Sequence, residues 1–316
     1  MRTVILDAAS LGNDISLDSL HRAAPGLVSF DLTTADQIIP RLQDASIAIV
    51  NKTVIDANVM AACPALKMIA VTATGTNTID LDAARQRGVR VCNVIRYGRA
   101  SLVQHTFMLI LTLAGNLHRY QQDVKAGHWN CACNFCLMDH PIMELEGKTL
   151  GIIGYGDLGQ GVAQMGRAFG MQVLIAQRPG QPAQTDRIPL DELLPQVDVL
   201  SLHCLLSAET RNLVDARELA LMKPSALLIN TARGGLVNEN ALADALTAGR
   251  IAGAGFDVLT QEPPVNGNVL LDLQLPNLIV TPHCAWASRE ARQRLIDLTA
   301  DNVARFMAGS LERWVA

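Results

Sequence analysis

One stretch limits the fold more than any other: Leu150 to Gly159, LGIIGYGDLG. A short apolar run (Leu150, Ile152, Ile153) leads into Gly154-x-Gly156-x-x-Gly159, and a helical pattern follows from Gln160 to Phe169. Strand, glycine turn and helix in that order is the context in which this spacing makes a dinucleotide site. Gly154 permits the tight turn, Gly156 lets a pyrophosphate approach the backbone, and Gly159 lets the helix pack closely on the strand. The phosphates then face a helix N-terminus, where free N–H groups and the helix dipole favour anions.

The rest of the 316 residues must supply a partner for that unit. The length corresponds to about two domains. Hydrophobic residues at 49% against 18% charged allow large cores and argue against disorder. The net charge of −4 is spread along the chain with no basic stripe, and aromatics are only 4%, so neither duplex nor single-stranded nucleic acid is expected as a partner. The opening MRTVILDAAS reads as a first strand and not a signal peptide. Leu102 to Leu117 is the most apolar segment, but Gln104, His105, Thr106 and Asn116 interrupt it, which points to a buried helix and not a membrane span. Seven cysteines, an odd number, point to reduced thiols and a cytoplasmic protein.

Two blocks of alternating strands and helices flank that apolar helix. In the first, strands at Val4–Leu6, Leu27–Val28, Ile47–Val50, Met68–Val71 and Val89–Cys92 alternate with helices at Leu17–Ala24, Ala35–Leu42, Asp56–Ala62 and Leu81–Arg87. In the second, strands begin at Leu150, Val173, Val197, Leu227, Ala252 and Leu278. Near-continuous apolar strands between helices imply parallel sheets covered on both faces. Ser101 to Ala126 reads as one long helix and Arg289 to Met307 as the last. The fold class is α/β: two doubly wound parallel-sheet domains.

The chemistry lies at strand ends, where open α/β sheets bind ligands. Gln177 stands 18 positions after Gly159, where an NAD-type unit would place an acid against the ribose 2′-OH; Arg178 follows it. A carboxylate repels a 2′-phosphate and a guanidinium pairs with one, so NADP(H) is expected to be accepted beside NAD(H), with a small preference. Three later loops, Asn230–Gly235, Asp257–Pro264 and Thr281–His283, bring an arginine, a glutamate and a histidine to the same edge. That set suits reduction of a 2-keto acid: Arg233 holds the carboxylate and polarises the ketone, His283 donates a proton as hydride arrives, and Glu262 favours the charged imidazole.

The ordered set GYGDLG, NTARGG, FDVLTQEPP and TPHCAWAS resembles the D-isomer-specific 2-hydroxyacid dehydrogenase family along nearly the whole chain, including TGTNTIDL. The likeness is strongest to the branch that reduces hydroxypyruvate or glyoxylate to D-glycerate or glycolate. The resemblance implies a flavodoxin-like substrate domain from residues 1–97 plus 287–316, a Rossmann coenzyme domain over 98–286, and an active site in the cleft. It assigns Arg233, Glu262 and His283 as the catalytic set. Thr74 and Gly75 become the backbone loop for the substrate carboxylate, although alone that loop reads as an ordinary turn. Dinucleotide contacts are expected from Gly154, Gly156, Asp157, Leu158, Gln177, Arg178, His203, Cys204, Thr231 and Ala232, with Asp257 near the nicotinamide carboxamide. A homodimer through the helix near Ser101 is also implied.

Departures are Gln177 for the family's usual Asp, Gln104 for a frequent Glu, and Leu206 for a frequent Pro. Glu262 argues against a formate dehydrogenase, which carries Gln there; a phosphite dehydrogenase keeps the same trio and is an alternative, as is a non-catalytic dinucleotide sensor. Cys131, Cys133 and Cys136, with His128 and His140, match no common zinc spacing, so no metal is expected.

Overall fold

The computed structural model describes residues 1–178, 180, 184–310 and 314–316. The chain divides into two compact units, Met1–Gly98 with Ala287–Ala316, and Arg99–Trp286. Both are built as parallel sheets flanked by helices.

The first unit holds β1 (Thr3–Ile5), α1 (Asp18–Ala23), β2 (Val28–Ser29), α2 (Ala35–Leu42), β3 (Ile47–Val50), α3 (Ala57–Ala62), β4 (Met68–Val71), α4 (Leu81–Arg87) and β5 (Arg90–Cys92), closed by the last helix α12 (Arg289–Met307). Its order is β2-β1-β3-β4-β5, all parallel, the flavodoxin-like arrangement. Strands β3 and β4 are buried at every position, which is why they read as unbroken apolar runs.

The second unit runs α5 (Arg99–Ala114), α6 (Leu117–Lys125), β6 (Thr149–Ile153), α7 (Asp157–Ala168), β7 (Gln172–Ile175), α8 (Leu190–Leu193), β8 (Val199–Leu202), α9 (Ala216–Leu221), β9 (Leu227–Asn230), α10 (Glu239–Thr247), β10 (Gly253–Phe256), α11 (Val269–Asp272) and β11 (Leu278–Val280). The sheet order is β11-β10-β9-β8-β6-β7, again all parallel, so the strand order reverses between β6 and β8. Both faces are covered. Leu200, Leu202, Leu228 and Phe256 pack into one core, while Leu150, Ile152, Val199 and Ile229 pack into the other with α5 and α7 residues. The alternation follows the two-residue period of a strand.

The single helix expected from Ser101 to Ala126 is two helices. α5 and α6 meet at a 59° bend over Gly115 and Asn116. Asn116 adopts φ 47, which Asn tolerates better than most residues, and its amide donates to the carbonyl of Pro141 at 2.5 Å. No single helix among the described residues is long and apolar enough to cross a membrane.

Candidate active site

The glycine turn lies at the switch point of the second sheet. Gly154, at φ 91, follows β6, and a Cβ there would stand 2.5 Å from the backbone of His203 and Cys204, in the loop after β8. A Cβ on Gly159 would be 2.1 Å from the Gly154 carbonyl oxygen, so α7 sits against the turn as closely as backbone allows. Gly156 caps α7, and nothing lies within 4 Å of where its Cβ would be. Two glycines that admit no side chain thus set the turn, and the third leaves its outer side open. Beside them His203 is half-buried, with Nε2 2.9 Å from the Ser201 hydroxyl and a buried Nδ1 without a partner. Burial holds the imidazole neutral, its pKa lowered to about 3, and pushes the neighbouring Cys204 thiol up to about 11. These features fit a dinucleotide: an open helix N-terminus, a turn with no Cβ, and a buried nitrogen facing unsatisfied surroundings. Asp157, the first residue of α7, is ion-paired with Arg99 at 3.2 Å, and Leu158 packs against the core under α7.

At the far end of β7, the Gln177 N–H donates to the Ile188 carbonyl, and Arg178 is exposed. The carboxyl of Glu209 is held below its ordinary value, first by the Ser207 hydroxyl at 2.6 Å and further by the charge of Arg178. Arg178 therefore has an acid near it, supplied by the loop after β8.

The three loops bearing the expected reactive side chains follow β9, β10 and β11, which are neighbours in the sheet. After β9, the buried Asn230 ties its own loop down: its amide donates to the Arg233 carbonyl and its oxygen accepts from the Ala232 N–H. Thr231 shares a hydrogen bond of 3.0 Å with Thr106 of α5. Arg233 projects from this loop, exposed, with one guanidinium nitrogen on the Ala232 carbonyl. Gly234 is needed for contact between loops, since its Cβ would fall 1.9 Å from the Leu259 carbonyl oxygen. After β10, Glu262 accepts from the Leu259 N–H at 2.8 Å with one oxygen and from His283 Nδ1 at 2.6 Å with the other. Both partners of that pair are about one-third exposed. His283 has φ 53, a left-handed backbone conformation uncommon for any residue but glycine.

Within the first unit, the loop after β4 is stitched to the strand-exit segment beside it. The Thr74 hydroxyl donates to the Val94 carbonyl, and the Asn93 amide donates to the Thr74 carbonyl.

Residues 107–285 match the model of the D-isomer specific 2-hydroxyacid dehydrogenase, NAD binding domain. The chain belongs to the D-isomer specific 2-hydroxyacid dehydrogenase family. It is 48% identical over 276 residues to a glycerate dehydrogenase of Methylorubrum extorquens, covering 87% of each chain. It is 37% identical to a hydroxypyruvate reductase of Blautia hydrogenotrophica, covering 98% of each. In structure it is similar to the TT0316 protein of Thermus thermophilus, with a TM-score of 0.88 at 32% identity over the full length of both. A dehydrogenase of this family is an oxidoreductase for a small 2-hydroxy or 2-keto acid and works with a nicotinamide dinucleotide.

The acid expected near the carboxamide, Asp257, is 1% exposed, and its carboxylate accepts from Thr281 Oγ1 (2.6 Å), the Cys284 N–H (2.9 Å) and the Ala285 N–H (2.8 Å). Two residues around it are missed by reading the sequence. His105 of α5 reaches the Thr281 hydroxyl at 2.9 Å. Thr281 carries a signal, a hydroxyl at the end of β11 one residue before Pro282; His105 carries none, because it joins the site from another element. Among the described residues the one group of three potential metal ligands within 4.8 Å of one another is His105, Asp257 and Cys284, and both oxygens of its carboxylate already accept hydrogen bonds. Near Cys131, Cys133 and Cys136, the imidazoles of His128 and His140 are both bonded to Asp123, at 2.9 and 2.8 Å.

Proposed function

We propose that this dehydrogenase reduces hydroxypyruvate or glyoxylate to D-glycerate or glycolate. The observation that carries the mechanism is the Glu262–His283 pair. His283 Nδ1–H donates to Glu262 Oε2 at 2.6 Å, which leaves Nε2 as the nitrogen that, in the doubly protonated ring, carries the proton for transfer. A bound NADPH or NADH supplies the hydride. His283 Nε2 gives its proton to the carbonyl oxygen of the keto acid, leaving the hydroxyl; in reverse it takes that proton back. Glu262 accepts the Nδ1–H and holds the ring in its orientation. Arg233 binds the carboxylate and polarises the ketone, and Thr74 and Gly75 are the substrate contacts proposed within the first unit. In this reading residues 1–98 with 287–316 hold the acid and residues 99–286 hold the coenzyme.

The coenzyme would lie along Gly154, Gly156, Asp157 and Leu158, with Gln177 and Arg178 at the adenosine ribose and His203, Cys204, Thr231 and Ala232 along its length. Its 2′-phosphate is welcome because β7 ends without an acid, so NADPH is favoured by a small margin. The chain is proposed to pair with a second copy, supported by a run of exposed apolar side chains: Met108, Leu111, Leu117, Trp129, Phe135 and Met138. Free thiols at all seven cysteines fit a reducing cytoplasm.

The test is His283→Ala, assayed with hydroxypyruvate, glyoxylate and pyruvate against both coenzymes. Loss of a general acid predicts a fall in kcat of about a thousandfold. A kcat within threefold of the parent would remove His283 from the mechanism.

A further inference from the structure

His283 donates its proton from a backbone conformation that the chain does not adopt readily, so something must hold it there. The residue sits at φ 53, and its N–H donates to the carbonyls of Asp257 (2.8 Å) and Thr281 (3.0 Å). The next two N–H groups, of Cys284 and Ala285, both point at the Asp257 carboxylate. Further on, the Ala285 carbonyl accepts from the Ser101 hydroxyl of α5 at 2.7 Å, and the Trp286 indole closes back onto the His283 carbonyl at 3.0 Å. The loop thus turns around one buried carboxylate.

That carboxylate has an ordered set of donors. A carboxylate only accepts, so the 2.6 Å contact is donated by the Thr281 hydroxyl. A hydroxyl has one proton; having given it to Asp257, Thr281 Oγ1 must accept from His105 Nε2 at 2.9 Å. The Thr281 hydroxyl also lies 3.4 Å from the Phe256 carbonyl, and the much shorter 2.6 Å contact with Asp257 takes its proton. Burial lowers the pKa of His105, against the attraction of Asp257, so the neutral ring carries its single N–H on Nε2.

We propose that His105 and Thr281 are positioning residues for the reduction step: a chain from His105 Nε2–H through the Thr281 hydroxyl fixes the Asp257 carboxylate, and through it the left-handed backbone of His283. His105 lies on α5, outside the three loops that carry the reactive side chains, and its Nε2 also stands 3.4 Å from an Asp257 carboxylate oxygen. The inference rests on His283 as proton donor. A carboxylate that loses the Thr281 donor can rotate, and both N–H groups that shape the loop turn with it. A displacement of about an ångström at the imidazole is enough to lower kcat strongly, while ground-state binding of acid and coenzyme changes little.

The experiment compares Thr281→Val, which keeps the shape without the hydroxyl, with Thr281→Ser, which keeps the hydroxyl. His105→Leu and His105→Gln form the matching pair, since the Gln amide can still donate. All four are assayed beside His283→Ala with NADPH and hydroxypyruvate, and each is checked by thermal melting. Thr281→Val and His105→Leu are expected to lower kcat by at least about tenfold with both KM values within about threefold. Thr281→Ser and His105→Gln should recover most of it. Should Thr281→Val fail to fold, the His105 pair decides. Equal losses for Ser and Val, or for Gln and Leu, would overturn the chain, because packing alone would then explain them. Parental kcat in Thr281→Val with an inactive His283→Ala overturns the chain alone. An active His283→Ala overturns the proton-donor reading and the chain with it.

Discussion

The two sheets reverse their strand order in the same way and treat the resulting crevice oppositely. In the first unit the reversal falls between β1 and β3. Two residues past β1 stands Asp7, 5% exposed, whose carboxylate accepts the N–H groups of Asn51, Lys52 and Thr53 and the Thr53 hydroxyl, all in the loop after β3. In the second unit the reversal falls between β6 and β8, and the residue just past β6 is Gly154. Its turn lies flush against the loop after β8 and leaves Gly156 facing open space. An open α/β sheet offers N–H groups at such a point by topology alone. Whether a ligand can use them depends on what the chain puts there: an internal anion in one unit, no side chain in the other.

The largest effect should come from filling the open crevice. Gly154→Ala adds a Cβ 2.5 Å from backbone atoms at a φ of 91, so both strain and collision disturb the turn. Backbone strain of this kind costs about 3 kcal/mol, or a roughly hundredfold weaker Kd for NADPH, measured by quenching or enhancement of nicotinamide fluorescence. The reciprocal change is Asp7→Ala. It strips the shared acceptor from three N–H groups, which should lower the unfolding free energy by about 3 kcal/mol while the Kd for NADPH stays at its parental value. If Asp7→Ala weakened NADPH binding as much as Gly154→Ala does, the two crevices would not be independent and the contrast would fall.

This contrast also separates what the sequence discloses from what it does not. The glycine turn is legible because each glycine answers a local demand, and the trio is legible because Arg233, Glu262 and His283 each follow a strand whose order can be counted. Asp7 reads only as a break in the first strand. Its role depends on β3 lying beside β1, and strand order is not a local property. The bend at Gly115 and Asn116 escapes a sequence reading because both flanking segments carry helical patterns, and the bonds that tie the break down, Asn116 to the Pro141 carbonyl and the Met143 N–H to the Ala114 carbonyl, come from more than 20 residues on. His105 escapes for the same reason as Asp7: its partner Thr281 is 176 residues away.

A smaller effect is expected from pH, and it too distinguishes the crevices. The loop after β8 carries the His203 imidazole, whose pKa desolvation lowers to about 3 from 6.5. Between those values the unfolded chain holds a proton that the folded chain excludes, so stability falls as pH drops from about 6.5 toward about 3. Urea midpoints at pH 7 and pH 5 should therefore differ more for the parent than for His203→Gln. Identical slopes for the two proteins would show that His203 titrates alike folded and unfolded.

The smallest effect concerns the rim of the open crevice, where Arg178 and Glu209 share a field. Arg178 is the cation that should attract a 2′-phosphate, and Glu209 is an anion near enough to be lowered by it. A 2′-phosphate arriving at Arg178 must therefore also approach a carboxylate, so the proposed preference for NADPH should be smaller than the guanidinium alone would give. Glu209→Gln removes the repulsion and keeps the side chain's size. Because both groups face water, the change is that of an exposed pair, about threefold in the ratio of kcat/KM for NADPH over NADH. Arg178→Ala should move the ratio the other way. Screening gives a second reading, since the gain from Glu209→Gln should shrink between low salt and about 0.5 M salt, where the Debye length falls to about 4 Å. A ratio unmoved by Glu209→Gln but lowered by Arg178→Ala would leave the arginine as the determinant and remove the acid from the rim.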